Sequence, residues 1–131
     1  MAKHTHYVNT DLDLASDRDL APIVAAFAPR GVSAINAFRD ELSRFRVGFE
    51  ANSCHGVEAT IVALLDAIES LASTERELWN SCSSRVLDVA YDCGSDGPTR
   101  FVESISHATL ARIARNELSL TITLYRHPAE D

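Results

Sequence analysis

From residue 7 the chain alternates. Val8, Thr10, Leu12 and Leu14 fall on one side of an extended segment and Tyr7, Asn9, Asp11 and Asp13 on the other, the period of a half-buried strand. Ser16, with Asp19 three residues on, marks a helix start where short polar side chains satisfy free backbone N–H groups. Leu20, Ile23, Val24 and Phe27 then recur at helical spacing, with Pro22 near the first turn, and Pro29 and Gly31 end the helix. Residues 32–38 read as a second strand of impure alternation. Beyond a polar connection at 40–43, Phe45, Val47, Phe49 and Ala51 alternate with Arg44, Arg46, Gly48 and Glu50, so the second and third strands predict a hairpin.

The clearest periodicity follows, with Val57, Ile61, Leu64, Leu65, Ile68 and Leu71 on one face of a helix of about four turns. Thr74 and Glu77 restart a short helix by the same capping logic, turning Leu78, Trp79 and Cys82 inward. A fourth strand over 85–93 sets Leu87, Val89, Tyr91 and Cys93 against Val86, Asp88, Ala90 and Asp92, and residues 94–98 read as a loop. A third helical region holds Phe101, Ile105, Leu110, Ile113 and Ala114, with Ser106 as a point where it can break and be capped afresh. Leu118, Leu120, Ile122 and Leu124 then alternate with Ser119, Thr121, Thr123 and Tyr125 in a last amphipathic strand.

The order is βαββαβαβ. Four of the five strands are apolar on one face only, whereas strands covered by helices on both sides read as nearly continuous apolar runs. The expectation is therefore one α+β domain over 1–131, with 1–6 and 126–131 as mobile ends. It has two layers: a mixed five-stranded sheet with helices on one face and the other face open. Mixed pairing follows because strands joined by a helix favour parallel neighbours and the hairpin is antiparallel. Strand parity assigns to the open face Tyr7, Asn9, Asp11 and Asp13; Arg44, Arg46 and Glu50; Asp88 and Asp92; and Thr121, Thr123 and Tyr125.

Charge narrows the partners. With 12 Lys and Arg against 19 Asp and Glu, the net charge of −7 repels phosphate backbones and argues against nucleic acid. The polar start carries no apolar run of the secretory type and no stretch approaches 18 apolar residues, so a cytoplasmic protein without a membrane span is expected. Cys54, Cys82 and Cys93 form an odd set with no CxxC pair and read as reduced thiols. Their spacing, with His55 beside Cys54, matches no zinc pattern, and neither a cofactor nor a metal is expected. The "GSDGP" segment at 94–98 lacks the lysine and glycine spacing of a phosphate loop.

The runs "ISHATLARIARNELSLTITLY" (105–125), "YVNTDLDLASDRDL" (7–20) and "TIVALLDAIESL" (60–71) together resemble a group of small bacterial proteins classed as domains of unknown function. The likeness spans most of the chain. It implies a mixed α+β domain of bacterial type, and it supplies no activity and no catalytic residue.

Two functions remain for the open face. The first is a non-enzymatic domain that binds a protein partner, or a second copy as a homodimer, through Tyr7, Asp11, Asp13, Arg44, Arg46, Asp88, Asp92 and Tyr125. Arginine and tyrosine are enriched at interface hot spots, and an acidic, immunity-like surface would be steered toward a basic toxin. The alternative is a small enzyme or metal-dependent binder using the carboxylates of Asp11, Asp13, Asp88 and Asp92. Against both stands simple pairing of acids and arginines across the sheet, at roughly 0.2 to 1 kcal/mol per pair.

Overall fold

A computed structural model describes residues 4–95 and 100–126. The first strand, β1, runs His6–Ser16. Ser16 does not open a helix. Its side chain is fully buried at the strand end, where Oγ accepts from Arg18 N. The helix α1 (Ala21–Phe27) begins after Leu20, with Pro22 in its first turn and Asp19 Oδ1 accepting from Ala21 N. A 3-10 turn (Ala28–Arg30) follows, and Gly31 leaves it at φ +76°, a left-handed exit that costs glycine no Cβ clash. The strands β2 (Val32–Arg39) and β3 (Phe45–Ala51) form the expected antiparallel hairpin.

Next come α2 (Val57–Glu69), α3 (Ser73–Ser81), β4 (Ser84–Asp92), α4 (His107–Arg115) and β5 (Ser119–Tyr125). The sheet order is β2-β3-β1-β4-β5. Among the described residues only β4 and β5 pair in parallel, joined through α4. In the first strand–helix–strand unit, β1 and β2 are not neighbours, because β3 lies between them and pairs antiparallel with both. The result is a mixed five-stranded sheet in a two-layer α+β fold. Among the described residues no helix is long and apolar enough to cross a membrane.

The core lies where the inner faces of β1, β3 and β4 meet α2. Val57, Ile61, Leu64, Leu65 and Ile68 are buried there against Leu12, Leu14, Phe49, Leu87 and Val89, and the Phe27 and Phe49 rings meet edge to face at 5.0 Å between centroids. Trp79 of α3 is buried, and its Nε1 donates to Asn116 C=O at 3.4 Å where α4 turns into β5. The short helix starts one residue before Thr74 and has no side-chain cap. In the third helical region the break is complete: residues 100–106 are not helical, and α4 starts afresh behind Ser106, whose Oγ accepts from Thr109 N. Phe101 contributes its ring to Tyr91, at 5.6 Å between centroids, from a loop. Residues 96–99 of the expected loop, and 1–3 and 127–131 of the expected mobile ends, lie outside the described residues.

The helix layer stops short of β5. Leu120, Ile122 and Leu124 carry the inward parity expected of them, yet they are 39%, 63% and 64% exposed, and Leu110 of α4 is bare as well. The cause lies in what holds α4. Arg112 reaches Asp66 and Glu69 of α2 at 2.8 and 2.9 Å, and Asn116 Nδ2 donates to Glu69. These contacts draw α4 toward the middle of the sheet and leave the last strand overhanging.

Candidate binding face

On the side without helices, three central strands bring carboxylates into one transverse row. Asp11 of β1 lies opposite Glu50 of β3 on one side and Asp88 of β4 on the other. Asp13 stands one pleat further along the same face. Among the described residues none of these four forms an ion pair. Asp11 accepts from Asn9 Nδ2 at 3.1 Å, and Asp88 from Thr123 Oγ1 at 2.6 Å. Like charges opposite one another on neighbouring strands repel, and the effect shows in proton affinity. Partial burial, reinforced by Asp13, Glu50 and Asp88, pushes the Asp11 carboxyl up to about 6. Burial and Asp88 also raise Asp13, against the opposing pull of Arg46.

The arginines expected to balance these acids are held elsewhere. Asp40 Oδ2, in the β2–β3 turn, accepts from Arg44 Nε at 2.9 Å and from Arg46 Nε at 2.8 Å. Its Oδ1 accepts from the backbone N–H groups of Leu42 and Arg44. The Arg46 guanidinium, followed by the turn's other donors, holds the Asp40 carboxyl far below the usual carboxylate range. Stability from this charge is present above the ordinary carboxylate pKa and is lost as pH falls toward the depressed value. Asp40→Asn should therefore lower the melting temperature at pH 7, and the difference should narrow only as pH falls below about 4 toward the depressed value. A pH series of thermal melts checks this.

Tyr7 is a correction to the face assigned from parity. The β1–β4 register shifts between Tyr7 and Asn9, so Val8 is the extra residue of a bulge. Tyr7 pairs with Tyr91 and turns to the helix side, where the two rings meet at 5.8 Å and its OH lies 2.6 Å from buried Thr10 Oγ1. Val8, expected in the core, is 49% exposed. Asp92 lies at the far end of the face, opposite His6 and beside Tyr125, with Oδ1 accepting from Gly94 N. The structure thus gathers Asp11, Asp13 and Asp88, sets Asp92 and Tyr125 apart at one end, and ties Arg44 and Arg46 to the hairpin turn.

Two residues on this face escaped parity. The β2 register shifts at Ile35, which puts Asn36 opposite Gly48 and Phe38 opposite Arg46. Asn36 Oδ1 accepts from Gly48 N at 2.9 Å, and a Cβ on Gly48 would stand 2.8 Å from Asn36 Oδ1 and 3.1 Å from Asp13 Oδ1. A glycine inside a strand is the signal that could have found this approach. Asp13, Asn36, Phe38, Arg46 and Gly48 line a recess of about 250 Å³. A more apolar concavity, about 430 Å³, lies at the sheet edge between α1 and the hairpin, walled by Leu20, Val24, Phe38, Phe45 and Val47 and by none of the four carboxylates.

Cys54, Cys82 and Cys93 are free thiols; burial pushes that of Cys82 up to about 11, away from nucleophilic use. Among the described residues no three His, Cys, Asp or Glu side chains are arranged to hold a metal ion. What the arrangement offers is a shallow anionic surface on a rigid sheet. The chain matches no family model, no curated protein and no solved structure.

Proposed function

We propose that this chain is a non-enzymatic binding domain whose open sheet face receives a basic protein surface. The observation that carries the reading is the row Glu50–Asp11–Asp88, with Asp13 beside it, on a face without helices and without a paired cation among the described residues. Such a row costs stability while it stands alone, and a partner's lysines or arginines would relieve it. Features that are unfavourable in the free protein cluster where function needs them. Association would be steered by charge and weakened by salt. Neutralisation of a basic toxin by an immunity-like protein in the reducing cytoplasm is one concrete form of this role. The carboxylates would suit the alternative of a metal-dependent enzyme only with a cage of ligands around them.

A ten-residue arginine-rich peptide serves as the probe, followed by fluorescence anisotropy across a salt series. The triple variant Asp11→Asn, Asp13→Asn, Asp88→Asn should bind about tenfold more weakly, a loss of about 1.4 kcal/mol, with a shallower salt dependence. A control carrying Asp17→Asn, Glu75→Gln and Glu77→Gln has the same net charge and should bind nearly as well as the parent. Equal weakening in both variants would reduce the effect to overall charge and reject the face.

A further inference from the structure

We propose that the free edge of β5 pairs with the same edge of a second copy of this chain, in antiparallel register about a twofold axis through Ile122, to give a continuous ten-stranded sheet. Edge strands are normally blunted by charges, proline or bulges against such pairing. The opposite edge, β2, has these devices: a register shift at Ile35 and Arg39 at its end, held over the Phe45 ring at 4.1 Å. By contrast, β5 has none. Ser119–Tyr125 contains no charge and no proline, and it keeps an unbroken register against Val86–Asp92.

The sequence of β5 names the occupant. Leu120-Thr121-Ile122-Thr123-Leu124 reads the same in both directions. A twofold axis at Ile122 therefore sets Leu120 opposite Leu124 of the second copy, Ile122 opposite itself, and Thr121 opposite Thr123. Every apolar side chain meets an apolar one on the helix side, and every threonine a threonine on the open side. Closed twofold contacts of this self-matching kind are the commonest in oligomers. The same register brings Arg126 of one copy to a position neighbouring Glu117 of the other.

The backbone agrees with this register. Tyr125 C=O faces β4, where it accepts from Cys93 N at 2.9 Å. Backbone groups alternate in direction along a strand, so the N–H and C=O groups of Leu120, Ile122 and Leu124 point to the free edge. These same residues hold the uncovered side chains. In the paired register each would exchange both of its hydrogen bonds with its opposite number. Leu120, Ile122 and Leu124 are 39%, 63% and 64% exposed and, with the strand backbone, form the surface that such a pairing would cover, where a standard interface buries ~800 Å² per partner.

Sedimentation velocity on the full chain at micromolar concentration should report a dimer. Ile122→Lys, which sets two ammonium groups face to face on the axis, should raise the dissociation constant at least about a hundredfold while the far-UV circular dichroism stays unchanged. Ile35→Lys on the other edge should leave the dimer intact. Hydrogen exchange supplies a readout independent of any substitution: the amides of Leu120, Ile122 and Leu124 should become protected as concentration rises, while those of Thr121 and Thr123 are protected throughout. A monomer at about 100 µM, persistence of the dimer in Ile122→Lys, or loss of the dimer in Ile35→Lys would each overturn the proposal.

Discussion

Trp79→Ala should cost about 3 to 5 kcal/mol, within reach of the whole stability of an ordinary domain at about 5 to 15 kcal/mol. The indole is 1% exposed, and its N–H reaches Asn116 C=O across the junction of α3 with the α4–β5 corner. Asn116 is also bound through its side chain by Arg76 and to Glu69. Truncation would leave a cavity at the point where three helices meet the last strand. Trp79→Phe keeps most of the volume and loses the hydrogen bond, so it should cost about 1 to 2 kcal/mol. Urea unfolding followed by circular dichroism is the suitable measurement, since Trp79 is the single tryptophan and its fluorescence disappears with it. The alanine variant should unfold with its midpoint lowered by roughly 2 M. A shift no larger than that of the phenylalanine variant would show that the indole does not anchor this corner.

Asp11→Asn, in contrast, should stabilise the protein. Burial and the neighbouring carboxylates raise the Asp11 carboxyl in the folded chain to about 6 from the ordinary value of 3.8. A carboxyl raised on folding favours the folded state while protonated. That contribution is fully present below the unfolded value and is lost as pH rises through the folded one. The asparagine variant loses no such contribution, so its advantage should be absent below about pH 4, grow between about pH 4 and 6, and hold above that. Solvent screening of this partly exposed group limits the gain to about 1 kcal/mol, roughly 4 °C in melting temperature for a chain of this length. Thermal melts at pH 4 and pH 7.5 test the sign directly. Destabilisation at pH 7.5 would mean that Asp11 is held by favourable contacts and that the repulsive row does not exist.

The architecture was legible because burial repeats at the period of each element. Leu12 and Leu14, Val47 and Phe49, Leu87 and Val89, and the stripe from Val57 to Ile68 all point where alternation and helical spacing put them. The candidate face followed from the same parity for Asp11, Asp13, Glu50 and Asp88. Parity failed at Tyr7 and could not place Asn36 and Phe38, in each case beside a bulge. A single extra residue reverses the facing of its neighbours and leaves composition unchanged. The adjacent apolar pair Tyr7–Val8 is the only local trace of the first bulge. Two further features depend on partners distant in the chain. The hold of Asp40 on Arg44 and Arg46 comes from the geometry of the turn. The exposure of Leu120, Ile122 and Leu124 comes from Arg112 fastening α4 to α2, which no pattern within β5 records.

The place of β1 in the sheet also has a consequence for the order of assembly. The earliest of the five strands in chain order ends up in the middle, between β3 and β4. One of its edges can be satisfied once residue 51 exists, and a three-stranded antiparallel sheet of β2, β3 and β1 needs only nearby chain. Its other edge must wait for Ser84–Asp92, with α2 and α3 formed in between. During that interval a ribosome-bound chain presents the β4-facing edge of β1 to the solvent. Closing so long a loop before its contacts repay the entropy lost slows folding. The arrival of β4 thus completes the acidic row, which until then holds Glu50 and Asp11 with Asp13 beside them.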